Sequence, residues 1–147
     1  TEIDLGLPAL LPDDYVYDVH MRLILYKRIS NAKTLNELKE LRIELIDRFG
    51  LLPETAKNLF DLTALKISTN DLGIKKIDAS NQGARIIFED NANIDPSRLI
   101  MLIQTHSDKY RFNGKNTLNI IHPMEDYTKR IETIQSTLQE LAFKEAA

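Results

Sequence analysis

Side chains able to do chemistry are present in this sequence, but few are arranged for it. His20, His106 and His122 are each potential metal ligands, yet they lie in three separate segments, and the chain has no cysteine to complete a zinc site. Asp13 and Asp14 form a carboxylate pair that could act as acid and base. They sit in "LLPDDY", where proline sets a turn and aspartate accepts backbone N–H bonds on the way into a helix. The phosphate-binding patterns GxxxxGK[ST] and GxGxxG are missing, as is the GxSxG nucleophile elbow. No catalytic residue, metal centre or cofactor site is therefore expected in this segment.

Two binding patterns remain. "KYRFNGK" (residues 109–115) interleaves Tyr110 and Phe112 with Lys109, Arg111 and Lys115, as a base-stacking platform would. In a strand, however, the two aromatics share one face and Lys109 and Arg111 the other. That is ordinary half-buried strand design, and a net charge of -3 is unlike a dedicated nucleic-acid binder. A nucleic-acid-binding module built on this hairpin stands as the alternative reading.

The second pattern is acidic. Glu37, Glu40, Glu44 and Asp47 fall in one narrow sector of a helical wheel, away from Leu38, Leu41, Leu45 and Phe49. Glu44 and Asp47 stand in the last turns of that helix. There the macrodipole disfavours a carboxylate by roughly 0.3–1 kcal/mol at most. Arg48, four residues after Glu44, compensates in part. Glu40 has no well-placed local partner. Such a ridge is either a solvated charged face, the commoner outcome, or a surface that steers and registers a cationic partner.

The elements that must position these residues are well punctuated. "EIDLGL" alternates as a short strand with Ile3, Leu5 and Leu7 on one face. Asp18 caps a first helix running to about Ala32, with Val19, Leu23, Tyr26 and Ile29 as its expected buried face. Thr34 to Glu37 matches a capping box that opens the second helix, and Gly50 stops it. Pro53 and Glu54 begin a third helix, which ends at Gly73. "IKKIDAS" and "GARIIFE" then flank "SNQG" as a hairpin, and Asp95-Pro96 opens a helix. "KYRF" and "TLNIIH" flank a turn centred on Asn113-Gly114, where both central residues can take positive φ. The last helix carries the seam Tyr127, Ile131, Ile134, Leu138 and Leu141, and the tail "FKEAA" is expected to fray.

The expectation is an α+β fold: an N-terminal strand and three helices, then two β-hairpins each followed by a helix. It forms one domain over residues 1–147, with a mainly helical half (1–73) and a ββαββα half (74–147). At 147 residues such a chain buries about 68–70% of its unfolded surface and needs no staple. No apolar run approaches the ~20 residues of a membrane span, and no signal-peptide pattern is present, so the cytoplasm is the expected compartment. The chain begins at Thr1, as either a processed protein or a piece of a longer one would.

"LPALLPDDYVYDVHMRLILYKRISNAKTLNELKELRIELIDRFGLLPE" resembles the opening of the C-terminal domain of bacterial transcription-repair coupling factors (Mfd), and the similarity runs from Glu2 through the final helix. Its most specific parts are "LLPDDY", "RLILYKRI" and "ELIDRFGLLP"; "SNQGARIIFEDNANIDPSRLIMLI" is a looser match. The resemblance implies a non-catalytic α+β domain of a large DNA translocase that uses ATP and Mg, displaces stalled RNA polymerase and recruits the excision-repair protein UvrA. The motor would lie N-terminal to this segment. The resemblance further implies reversible docking of the domain on a distant UvrB-like module of the same chain. Docking there hides the UvrA-binding surface and restrains the motor. Carried onto the matching "ELIDRFG", the docking role falls on Glu44 and Asp47, with Arg48 orienting them and Glu40 a further member. UvrA and RNA polymerase would be indirect partners, with no membrane and no direct nucleic-acid contact expected.

Overall fold

The computed structural model describes residues 1–114 and 116–142. Lys115 of the basic hairpin and the tail 143–147 lie outside the described residues. In order, the elements are β1 (Glu2–Asp4), α1 (Val19–Asn31), α2 (Leu35–Phe49), α3 (Glu54–Thr69), a 3₁₀ turn (Asn70–Leu72), β2 (Ile74–Ser80), β3 (Gly83–Phe88), α4 (Pro96–Thr105), β4 (Tyr110–Asn113), β5 (Thr117–Ile120) and α5 (Tyr127–Leu141). This is the α+β layout expected from the sequence.

The chain divides into two compact units, one spanning Leu7–Ser68 and the other comprising Thr1–Gly6 with the chain from Thr69 onward. The expected halves, 1–73 and 74–147, differ from these units at two places. The division falls at Ser68/Thr69, and β1 belongs with the sheet of the later unit because its backbone pairs parallel to β2, with Ile3 opposite Ile77.

In the helical unit α1 and α2 each begin at a side-chain cap. Asp18 accepts from the His20 N–H, and Thr34 accepts from the Glu37 N–H. The Glu37 carboxylate reaches back to the Lys33 N–H at 2.9 Å, one residue earlier than an ideal capping box. Gly50 ends α2 at φ +94°, with its N–H on the Ile46 carbonyl. The core gathers Leu25 and Ile29 of α1, Leu38, Leu41 and Leu45 of α2, Phe60 of α3, and Leu11 and Val16 from the segment before α1. The expected α1 face holds in its second half, where Ile29 is buried and Tyr26 packs against the core, but Val19 and Leu23 are 59% and 63% exposed and Leu25 is buried in their place. Half-buried Arg22 carries its guanidinium to the Val16 carbonyl at 2.8 Å.

The later unit is a five-stranded sheet in the order β1-β2-β3-β5-β4, antiparallel except for the β1–β2 pair. Strand alternation places Ile77, Ile86, Leu118 and Phe112 in one row and Asp78, Arg85, Asn119 and Arg111 in the next, on the opposite face. The apolar face is the buried one, and across it the Tyr110 hydroxyl meets Thr137 of α5 at 3.0 Å. The seam of α5 is buried at Ile131, Ile134, Leu138 and Leu141, while Tyr127 stands 42% exposed. The β4–β5 turn also departs from expectation: Asn113 stays in the ladder opposite Thr117, and only Gly114 takes positive φ (+65°).

Gly83 opens β3 against β5, and a Cβ there would collide with the Ile120 carbonyl oxygen. Gly83→Ala is expected to destabilise the sheet unit by about 1–3 kcal/mol, since backbone cannot yield as a side-chain end can. The check is a lowered midpoint in urea unfolding, alongside Gly50→Ala. At Gly50 nothing lies within 4 Å of an added Cβ, and only the backbone strain at φ +94° opposes the change.

Candidate functional site

The outer face of α2 exists because Leu38, Leu41 and Leu45 are buried on the other side. The four carboxylates of the expected ridge occupy that outer face in different states. Glu37 is used by the cap. Glu40 is exposed and accepts a 3.4 Å bond from the Asn36 amide one turn back.

Glu44 is held. Arg28, in the last turn of α1, donates from both terminal nitrogens to its two carboxylate oxygens, at 2.6 and 2.9 Å. Arg48 adds a third bond at 3.3 Å. Arg48 is itself steadied by the Phe49 ring, 5.0 Å from its centroid, and by a 3.7 Å contact to the Met21 sulfur. Hydrogen bonding to Arg28 holds the Glu44 carboxyl below the usual glutamate range; burial opposes it, and the Arg28 charge and Arg48 add to the lowering. The same bond raises Arg28. Nothing local in the sequence marks Arg28 for this role, because its partner is sixteen residues away.

Asp47 is exposed, and among the described residues nothing hydrogen-bonds or ion-pairs with it. The expected free ridge is therefore interrupted at its middle. Glu44 is bracketed by two guanidiniums, and Glu40 and Asp47 carry the accessible negative charge on either side. A shallow cleft of about 420 Å³ lies beside this face, between Asn31–Ala32 at the end of α1 and Glu37, Glu40 and Glu44 of α2. The arrangement offers reversible ionic contacts to a partner. No nucleophile or acid–base pair lines it.

Other sequence-marked residues do not join this face. Asp13 and Asp14 are exposed in a turn closed by the Tyr15 and Val16 N–H groups on the Pro12 carbonyl. His20 lies at the start of α1, while His106 ends α4 and His122 follows β5. Tyr110 is only 6% exposed, its hydroxyl engaged by Thr137 and its ring edge-on to His106, so it presents no face to a base. Arg111 is exposed on the other face of the sheet, as the alternation required.

The family model of the TRCF domain matches residues 5–99. The transcription-repair-coupling factor of Escherichia coli (strain K12) is 43% identical over 141 residues, covering 96% of this chain and 12% of that protein. Its counterpart in Haemophilus influenzae is 44% identical over 141 residues, again 96% and 12%, and that of Myxococcus xanthus is 38% identical over 110 residues, 75% and 9%. The chain thus spans a small fraction of the curated relatives it matches. The fold is similar to the crystal structure of a C-terminal domain of transcription-repair coupling factor, with TM-score 0.67, 20% identity, and coverage of 92% of this chain and 94% of that one.

Two carboxylates of the helical unit give opposite pH signatures. Glu44 has a lowered pKa, so its stabilisation is present above the unfolded carboxyl value, about 4.3, and is lost as pH falls through the lower folded value. Glu44→Gln is expected to cost no more than about 1 kcal/mol near pH 7, because the pair is partly exposed, and nothing near pH 2. Asp61 on α3 is raised by burial, against the pull of Arg42. Its cost is absent below the unfolded value, about 3.9, and appears as pH rises through the folded one. Asp61→Asn is expected to raise the urea midpoint near pH 7 and to match the parent near pH 2. A Glu44→Gln penalty independent of pH would show that the ion pair is not its cause.

Proposed function

The chain belongs to the TRCF domain family, and from that premise we propose that it is the C-terminal regulatory domain of a transcription-repair-coupling factor, without catalysis of its own. Its role is to dock reversibly on the N-terminal UvrB-like module of the same protein. Docked, it masks the surface that binds UvrA and restrains the ATP-driven motor until transcription-coupled repair begins in the cytoplasm. ATP and Mg belong to the motor, outside this segment, and UvrA and RNA polymerase are met indirectly.

The observation that carries this reading is the state of the α2 face: Asp47 unheld and exposed, beside a Glu44 fixed between two guanidiniums. Glu40 and Asp47 are the groups ready to grip a cationic surface. Glu44, tied to Arg28 and Arg48, leaves no free negative charge at the centre of the face and limits which partner geometries fit. Such a lock is polar and modest, as one that opens must be. A tethered partner is met at roughly millimolar effective concentration, so an inter-domain contact of about 600–1,500 Å² suffices. Driving 99% closed to 99% open takes about 5.5 kcal/mol of differential binding, supplied by polymerase, DNA and UvrA together.

The burial of Tyr110 speaks against the nucleic-acid alternative, which loses one of its two stacking residues.

Titrating the 147-residue chain with the isolated UvrB-like module at rising salt tests the proposal. Binding is expected to weaken with salt, to fall about tenfold in Asp47→Ala, and to fall further in Glu44→Ala/Asp47→Ala with unchanged circular dichroism. Undiminished binding of the double variant would remove the α2 face from the interface. In the parent protein, deleting this segment is expected to raise UvrA affinity. Tight single-stranded oligonucleotide binding that depends on Tyr110 would reinstate the alternative.

A further inference from the structure

Arg130 of α5 is a buried cation with no ion-pair partner among the described residues. It is 3% exposed, and its hydrogen bonds all go to backbone carbonyls: Nε and Nη2 donate to Met124 at 3.0 and 2.8 Å, and Nη1 donates to Leu5 at 2.6 Å. The Tyr127 ring lies against the guanidinium, with Cζ 5.2 Å from its centroid. A guanidinium has five N–H groups. Three are used here, and one on each terminal nitrogen has no partner among the described residues. Carbonyl dipoles solvate the charge without neutralising it, and a buried charge is costly until an opposite one arrives.

This guanidinium lines a surface cleft of about 500 Å³, together with Gly6, Ser80, Asn81, Glu125 and Tyr127. Gly6 keeps its edge open. At φ +64° any side chain is strained, and a Cβ would come within 3.4 Å of Nη1 and 3.3 Å of the Ala79 carbonyl. At the rim, the Ser80 oxygen accepts from the Gln82 N–H, which leaves the hydroxyl proton to donate. The Asn81 side chain is exposed and has no hydrogen-bond partner among the described residues.

We propose that this cleft is a carboxylate-binding site, with the two spare N–H groups of Arg130 forming the fork and Ser80 and Asn81 the rim. A planar carboxylate matches a guanidinium edge in two parallel bonds. Glu125 in the wall, and Asp126, whose carboxylate caps α5 on the Thr128 N–H, add negative charge close by. That charge disfavours a doubly charged phosphate and selects a monoanion. The carboxylate is carried either by a small acid or by an acidic side chain of another polypeptide.

The test is an NMR titration of the intact 147-residue chain, following the Arg130 Nε–H resonance. Sodium acetate represents the small acid, an acetylated and amidated Gly-Glu-Gly peptide the side chain, and inorganic phosphate the competitor, all at constant ionic strength. A saturable shift is expected with acetate and peptide, and the tighter of the two identifies the source. Asn81→Asp, which leaves the backbone bond from Met124 to residue 81 in place, is expected to abolish that shift by supplying a carboxylate at the rim, and to raise the thermal midpoint. Glu125→Gln is expected to tighten acetate several-fold. Absence of any saturable shift, phosphate binding at least as tight as acetate, or acetate binding seen only in Glu125→Gln, which would mean that Glu125 already fills the cleft, would each overturn the proposal.

Discussion

A helix with one apolar stripe can bury only one side, and that constraint organises the helical unit. Leu38, Leu41 and Leu45 are all 6% exposed or less, so residues on the opposite side of α2 must face water. The stripe also fixes the rotation of the helix, and with it which charges are displayed. A polar substitution at Leu45 would disturb the display of Glu44 and Asp47 as surely as changing them, because each such core position contributes a few kcal/mol and holds the helix in its groove.

Once that face is fixed, electrostatics sorts its charges unequally. Carboxylates near the C-terminal end of a helix oppose the macrodipole. For Glu44 the opposition is met from outside the helix, by a bidentate bond from Arg28 on α1 that local pairing with Arg48 alone could not match. Arg28 is also a favourable cation in the last turn of its own helix. One pair thus relieves Glu44 and couples the end of α1 to the outer face of α2. Asp47, one turn further on, receives no such relief. Its residual cost is small, but it is a charge that a partner can satisfy and that this unit does not.

The parts legible from sequence are those decided within a few residues. Asp18, Thr34 and Asp95 cap their helices by bonds two or three residues long, and Gly50 ends α2 through positive φ, whereas α3 stops at Thr69 and Gly73 closes the 3₁₀ turn after it instead of the helix itself. The first hairpin reads directly from "SNQG", with Ser80 and Gly83 paired across a two-residue turn. What escaped is decided at long range. Val19 and Leu23 line up with Ile29 as well as Leu25 does by periodicity, and only packing against Leu11, Val16 and α2 chooses between them. Strand β1 finds its partner more than seventy residues away. The Arg28–Glu44 pair and the carbonyl-bound Arg130 are likewise invisible to any local pattern.

The half-tied state of the acidic face bears on what sort of contact it can make. Ordering two long charged side chains during association costs about 0.5–1.5 kcal/mol for each one immobilised. Glu44 is already ordered by Arg28 and Arg48, so that cost was met when the unit folded. Against this, its carboxylate must share its lone pairs with any new cation, and the incoming charge meets two guanidiniums nearby. Those effects pull in opposite directions and leave Glu44 a positional marker more than an anchor. Attraction then falls to Glu40 and Asp47, which are solvated and strongly screened at physiological salt. A contact built this way is specific in register and modest in strength, and it releases when a competing charge or a shifted neighbour removes either flank. These are the properties a reversible restraint requires and a permanent apolar seam lacks.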